Sequence, residues 1–339
     1  MNIPQLSIII PTLDEAATLP ALLDDLRRQQ GVACEVIVSD GGSRDDTATL
    51  AVAAGAIVVV GPRGRARQMN AGAAQARGTW LLFLHADSRL PTPALLADAV
   101  ASLHTARHGQ QALAGHFGLQ FIGGHPLRAR FYDWLAYKTR SGRHYSINGD
   151  QGVLIARTDF EALGRYDERR PFLEDQELAR RIRRAGGWLL LPGTLHTSAR
   201  RFEREGAGAR YVLMAMMMGA WAADFEAFFE QAPALYAAQG DAAALDPHPY
   251  ARLGRRLLRA QGRDGVRTLL RIGRFVRENA WQLAAYRDWR DGHADQRWLR
   301  RFDRWIAGSL DNRLADGLAA LLVAGWLWIW LPLSARCHR

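Results

Sequence analysis

The stretch SIIIPTLDEAATLPALLDDL at residues 7–26, with EVIVSDGGSRDDT at 35–47 and GTWLLFLHADSRLP at 78–91, decides the fold. Short β-branched and leucine-rich runs at Ser7–Ile10, Val36–Ser39, Ile57–Val60 and Trp80–Leu84 alternate with helical patterns. That alternation is the signature of a parallel sheet covered by helices. Between the first two runs Leu19, Leu22, Leu23 and Leu26 recur at helical spacing and give one apolar face. Ser43 followed by Asp46 fits a variant capping box for a second helix, and the alanine-rich 66–76 favours a third. The fold class is therefore α/β, with a Rossmann-like sheet flanked by helices.

Outward from this block the pattern loosens over 114–192, apart from a polar loop at 146–152, a strand at Val153–Ala156 and a helix over 173–185. Gly186-Gly187 closes that helix, where a left-handed cap is usual. An apolar helix is expected over Tyr211–Phe229, and the proline-bearing 232–249 reads as a linker. Beyond it Val266, Leu269, Leu270, Gly273 and Val276 suggest one apolar helix face, with Arg267, Arg271 and Arg274 on another stripe. The 17 residues 317–333 carry no charge and hold Trp326, Trp328 and Trp330, which reaches the lower bound of a bilayer-crossing length, about 17 residues. The expected organisation is a domain at 1–230, a linker at 231–249 and a basic, membrane-associating helical region at 250–339.

The composition suits a chain of 339 residues with a sizeable core: 48% hydrophobic and 23% charged residues exclude a largely disordered protein. Cys34 and Cys337 are the only cysteines, which excludes a disulfide scaffold and a cysteine-rich zinc site. The run Leu6–Ile10 is too short for a signal-peptide core, so the expectation is a chain kept in the cytoplasm. The net charge of +10 is regional. Residues 245–313 hold 16 Arg against 8 Asp and Glu, an excess of 16 − 8 = +8, which suits an anionic surface as partner.

In open parallel sheets ligands bind beyond the carboxyl ends of the strands. Here those ends run into Pro11-Thr12-Leu13-Asp14-Glu15, Asp40-Gly41-Gly42-Ser43 and His85-Ala86-Asp87. Carboxylates delivered to one rim would repel one another unless donors or a divalent cation compensate. Taken singly, each also reads as a turn or cap residue.

These motifs, together with FLEDQELARRIRRAGG at 172–187, resemble the family-2 inverting glycosyltransferases of the GT-A fold over about residues 5–205. The resemblance implies a GT-A type, nucleotide-sugar-binding mixed sheet flanked by helices, with a C-terminal α-helical extension. It implies that Pro11, Thr12, Glu15 and Asp40 hold the nucleotide, joined by Arg67, Asn70 and His85. It makes Asp175 the general base with Glu174 beside it, Asp87 the ligand of a Mn2+ or Mg2+ ion, and His196 a further metal ligand. Asp150 and Gln151 would lie on the acceptor side. The usual Asp-x-Asp motif departs to His85-Ala86-Asp87, and the processive Gln-x-x-Arg-Trp signature is missing after Gln176, which favours single transfer. The strings GRARQMNAGA and GDQG most resemble a bacterial subgroup associated with radical-SAM and arsenosugar genes.

The expected partners are a UDP- or GDP-linked sugar donor, an acceptor that membrane proximity would make lipid-linked, and an anionic membrane surface at the cytoplasmic face of the inner membrane. No nucleic acid is expected. The competing readings are an arginine-rich membrane or nucleic-acid scaffold with an inactive GT-A domain, and a sugar nucleotidyltransferase. The second lacks its expected Gly-rich, Arg-Lys loop, because Asp14-Glu15 stands there.

Overall fold

The computed structural model describes residues 4–109, 113–239 and 244–333. Cys337 and part of the expected linker lie outside the described residues. The chain divides into two compact units, Met1–Ala199 and Arg200–Arg339.

The first unit is built on an eight-stranded mixed sheet. Its strands are β1 Leu6–Thr12, β2 Cys34–Asp40, β3 Ile57–Val60, β4 Trp80–Phe83, β5 Ser88–Arg89, β6 Ala114–Ile122, β7 Val153–Ala156 and β8 Trp188–Ser198, in the order β3-β2-β1-β4-β7-β6-β8-β5. Strands β1 to β4 run parallel, as the alternation of apolar runs and helical patterns requires. Strand β7 enters antiparallel to β4 with Phe83 opposite Val153, which brings the loop preceding β7 to the carboxyl rim of the parallel strands. That reversal positions the site.

Helices α1 Leu19–Arg27, α2 Thr47–Ala53, α3 Arg65–Gln75, α4 Leu95–His108, α5 Ala129–Thr139, α6 Arg157–Ala162 and α7 Glu174–Ala185 accompany the sheet. One core joins Ile8, Ile10, Val38 and Leu82 to the leucines of α1 and α4. The other joins Ile9, Ile37, Leu81 and Ile155 to α3 and to Leu178 and Ile182 of α7. Alternate residues of β1 thus feed opposite cores, as a strand buried on both faces must. At the amino-terminal end Glu35 is buried and tied to the Ser7 hydroxyl and to Arg77, so this carboxylate is structural.

Ser43 does not cap α2. Its hydroxyl donates to Asp40 Oδ1 and accepts the Asp14 N–H, while Asp46 takes the cap position without a side-chain bond. The 114–192 region holds two long strands, β6 and β8, that its broken apolar pattern concealed. Glycine explains part of this: a Cβ at Gly115 would lie 2.5 Å from Leu191, so the strands meet through a residue that lends no hydrophobic signal.

The second unit is helical: α8 Arg200–Glu205, α9 Ala207–Ala222, α10 Glu226–Gln239, α11 His248–Ala260, α12 Arg263–Glu278, α13 Trp281–Asp291, α14 Arg297–Arg301, α15 Ala307–Leu310 and α16 Arg313–Gly325. The single helix expected at 211–229 is two, broken where Asp224 takes a left-handed conformation at φ 51°. Residues 232–239, expected in a linker, belong to α10, which continues through Pro233. On α12 the expected apolar face is corrected: Val266, Leu270 and Val276 are exposed, and the buried positions are Gly265, Thr268 and Gly273.

Candidate active site

At the carboxyl rim the loops after β1 and β2 are stitched together. Asp14 N–H donates to Ser43 Oγ, Arg44 N–H to Asp14 Oδ1, Glu15 N–H to Thr47 Oγ1, and Ala16 N–H to Asp45 Oδ2. Asp40 is buried and accepts the Ser43 N–H and hydroxyl. Glu15 accepts the Thr18 hydroxyl at 2.5 Å. Backbone and hydroxyl donors therefore offset much of the carboxylate repulsion for which the sequence called for donors or a divalent cation. Pro11 is half-buried in β1, and Thr12 is 2% exposed with its hydroxyl lacking a partner, an unspent polar group at the end of the central strand.

Gln68 was not singled out in the sequence. Buried on α3, its amide donates to the carbonyls of Thr12 at 2.6 Å and Ser39 at 2.9 Å, fastening the ends of β1 and β2. A Cβ at Gly41 would lie 3.0 Å from that amide, so the Asp40-Gly41 turn is shaped around it. Gln68 lies in the first turn of α3, and only its place among the arginines marked it in the sequence.

Asn70 and Arg67 do not join the pocket. The Asn70 amide donates to the Tyr166 carbonyl and Glu168 and accepts the Tyr166 N–H, clamping the loop before α7. Arg67 is exposed. The arginine that reaches inward is Arg65, whose Nη1 lies 3.3 Å from Glu174 Oε1.

A small pocket is lined by Arg65, His85, Gly149, Tyr166, Glu174 and Asp175 among others. Glu174 and Asp175 open α7, where the helix N-terminus favours negative charge. They follow Leu173, a bulky residue held left-handed at φ 59°. Such backbone strain persists only where the surroundings enforce it. Glu174 is 3% exposed and paired to Arg65.

Asp175 is fixed from the opposite side of the pocket. Its Oδ2 accepts the Gly149 N–H at 2.7 Å. Burial and the neighbouring Glu174 charge push its carboxyl above the usual carboxylate range, against the lowering effects of the Gly149 N–H and Arg65. A carboxylate shifted toward neutrality is suited to accept a proton. Next to it, His85 Nδ1 lies 2.7 Å from Asp150 Oδ1. Gly149 sits between the two functions, since a Cβ there would be 3.1 Å from His85 Nε2 and 3.5 Å from Asp175 Oδ2. Gln151, expected on the acceptor side, is fully buried and donates to the Ser146 carbonyl, so it supports the loop from within.

Asp87 and His196 flank the β5–β8 pairing: Asp87 precedes Ser88, which faces Thr197, and His196 faces Arg89. Neither lines the pocket with Asp175. Among the described residues no three His, Cys, Asp or Glu side chains converge on a cation cage. A hard divalent ion bound chiefly by phosphates and water needs only one or two protein donors.

Residues 7–132 match the model of Glycosyl transferase family 2. The match covers β1 to β6 and ends before Asp175. A PGL/p-HBAD biosynthesis glycosyltransferase of Mycobacterium bovis is 42% identical over 108 residues, 30% of this chain and 42% of the relative. A glucosyl-3-phosphoglycerate synthase of Mycolicibacterium paratuberculosis is 33% identical over 110 residues, 30% of this chain and 33% of that relative. The chain thus spans less than half the length of these curated relatives. Among solved structures, the mannosyltransferase PcManGT of Pyrobaculum calidifontis, in complex with GDP-Man and Mn2+, is 18% identical with a TM-score of 0.49, covering 95% of this chain and 88% of its own.

Proposed function

We propose that the chain transfers a sugar from a nucleoside-diphosphate donor, UDP- or GDP-linked, to an acceptor hydroxyl, with inversion and one sugar per event. The observation that carries this reading is the Asp175 carboxylate at the start of α7, raised in pKa by burial and held by Gly149 at the carboxyl rim of a sheet whose residues 7–132 match Glycosyl transferase family 2. Asp175 accepts the acceptor hydroxyl proton as the oxygen attacks the anomeric carbon, and the nucleoside diphosphate leaves from the opposite sugar face. Proton acceptance by a positioned base contributes about 10²–10⁴-fold.

Arg65 contributes positive charge close to the reacting centre and pairs with Glu174 beside Asp175. Thr12, with its unspent buried hydroxyl, and the Asp40 turn present polar groups suited to a base and ribose. Asp87 with His196 would hold a Mn2+ or Mg2+ ion, which supplies charge neutralisation to the departing diphosphate when bound. The GRARQMNAGA and GDQG strings support placing the chain in the radical-SAM and arsenosugar-associated subgroup. A lipid-linked acceptor belongs to this reading.

The test is release of UDP or GDP from a panel of nucleotide sugars by the purified chain, with Mn2+ or Mg2+ and with chelator. Metal-stimulated release that Asp175→Asn abolishes supports the reading. Release of pyrophosphate from a nucleoside triphosphate and a sugar phosphate would replace it with nucleotidyl transfer.

A further inference from the structure

Among the described residues, the second unit exposes an apolar helix face. The helix Arg313–Leu333 runs 21 residues, α16 being continued by a π-helical turn at Trp326–Trp330, and only 22% of its most apolar stretch is buried. A core helix would be mostly buried, so this one is not there to fill a core. Leu314 at 81%, Leu318 at 65%, Leu321 at 69%, Leu322 at 73% and Ile329 at 62% are exposed. Positions 314, 318, 321, 322 and 329 are separated by three, four, seven or eight residues from a neighbour in the set and so share one side of the helix.

The other side is packed on protein for most of its length. Near the start, Gly273 of α12 meets the helix backbone to backbone, for a Cβ there would lie 2.5 Å from both Ala320 N and Asp316 O. Asp316 also accepts from Arg277 Nε at 2.6 Å. Further along, Arg255 of α11 donates to the Leu327 carbonyl at 2.8 Å, and the Arg259 guanidinium lies 5.9 Å from the Trp328 ring. Ala319, Ala320, Leu327 and Leu331 are the buried positions.

These contacts decide between crossing a bilayer and lying on one. Leu327 is four residues past the middle of the helix, roughly 6 Å along its axis. A spanning orientation would hold the Arg255 guanidinium well inside a hydrocarbon layer about 30 Å thick and would draw the arginines of α12 in after it. An in-plane orientation sinks only the leucine stripe and leaves the packed, charged side in water and headgroups.

Charge supplies the identity of the surface. Residues 297–304, RWLRRFDR, hold four arginines and one aspartate, and the following Trp305 and Ile306 are 68% and 47% exposed. The Trp298 ring has the guanidiniums of Arg287, Arg301 and Arg297 at 3.8, 4.9 and 5.5 Å, and Arg304 lies 5.0 Å from the Trp305 ring. Arginine beside tryptophan is the chemistry of an apolar–aqueous boundary carrying anionic headgroups.

We infer that the helix Arg313–Leu333 is an in-plane anchor that lays its Leu314–Ile329 stripe into one leaflet of an anionic bilayer. The inference rests on the second unit alone and stands apart from the transfer reaction.

The test uses the full chain with vesicles of phosphatidylcholine, or of phosphatidylcholine and phosphatidylglycerol in equal parts. Flotation with the anionic vesicles, weakened by salt, is expected. The Leu318→Glu, Leu322→Glu double variant should lose about tenfold or more of that partitioning. Both positions are exposed, so circular dichroism and melting should match the parent. Orientation is read by fluorophores at Leu314→Cys, Leu322→Cys and Ile329→Cys, each in a chain whose native cysteines are serine, with quenchers at graded depth in the lipid. Equal shallow depth at all three supports the in-plane anchor. A gradient with 322 deepest, no flotation, or burial of the stripe in a stable dimer overturns it.

Discussion

Gly149 donates its backbone N–H to Oδ2 of Asp175 at 2.7 Å across 26 residues of sequence. The bond exists because β7 runs antiparallel to β4, which returns the loop before β7 to the rim where β4 ends. It fixes the carboxylate without neutralising it. The Asp175 carboxylate is therefore set by a main-chain contact that a side-chain substitution elsewhere in the loop leaves intact.

Asp175→Asn should lower turnover by about 10²–10⁴-fold while leaving nucleotide affinity close to the parent value. The amide keeps an oxygen for the Gly149 N–H. Stability should move the other way. The folded-state pKa of Asp175 is raised, so the folded chain binds this proton more tightly than the unfolded one, and ionisation removes stability as pH rises from the unfolded value, about 3.9, through the folded one. The variant should melt higher than the parent at pH 7, with the difference vanishing near pH 3. Turnover and UDP or GDP titration, with melting across pH, check both halves; equal loss of turnover and nucleotide affinity would mean that Asp175 binds the donor.

Arg65→Met removes the cation that lowers the Asp175 pKa and pairs with Glu174. The acid limb of kcat/KM, set by the carboxylate that must be unprotonated, should move to higher pH. Glu174 is left buried without its ion partner, at about 1–3 kcal/mol of stability. A pH–rate profile beside urea unfolding checks the pair of effects. An unchanged acid limb with reduced stability would give Arg65 a structural role alone.

The parallel strands and the helix opening at Glu174 were legible because each is written locally, in apolar periodicity and in an acidic first turn. The rim was legible for the same reason, since Thr12, Asp40 and His85 directly follow strand patterns. What joins these parts was not. Ser43 looked like a cap but binds Asp40 and Asp14, and Asn70 looked like a donor contact but holds the loop at Tyr166, because the reach of a side chain depends on which loop packs against it. Strands β6 and β8 escaped for a related reason. Gly115, Gly118, Pro192 and Gly193 interrupt their alternation, and pairing across some 70 residues, as in Ala114 with Trp188, supplies what periodicity does not.

Gln68→Leu keeps the volume on α3 and removes the amide shared by the Thr12 and Ser39 carbonyls. Two buried acceptors lose a donor, so unfolding should become easier by about 1–3 kcal/mol. The ends of β1 and β2 would loosen together, and the Asp40 turn with them. Nucleotide affinity should therefore fall while the acid limb governed by Asp175 stays in place. Calorimetric titration with UDP and GDP, alongside the pH–rate profile, separates this from damage at Asp175. Parent-like affinity would show that the fastening serves folding only.

Asp87→Asn tests the cation. The proposed donors are few, Asp87 and His196 beside the β5–β8 pairing, so an ion held there would take most of its ligands from diphosphate and water. Metal and nucleotide should then bind in concert, each raising the affinity for the other. With Mn2+ present, the substitution should weaken UDP or GDP binding by about tenfold or more, and with chelator it should change little. His196→Gln should do the same to a smaller degree, since imidazole is the weaker of the two donors toward a hard ion. Measuring nucleotide affinity with Mn2+, with Mg2+ and with chelator resolves the coupling for each variant. A parent-like response to Mn2+ in both would remove the ion from this edge of the sheet and leave Arg65 as the charge nearest the departing diphosphate.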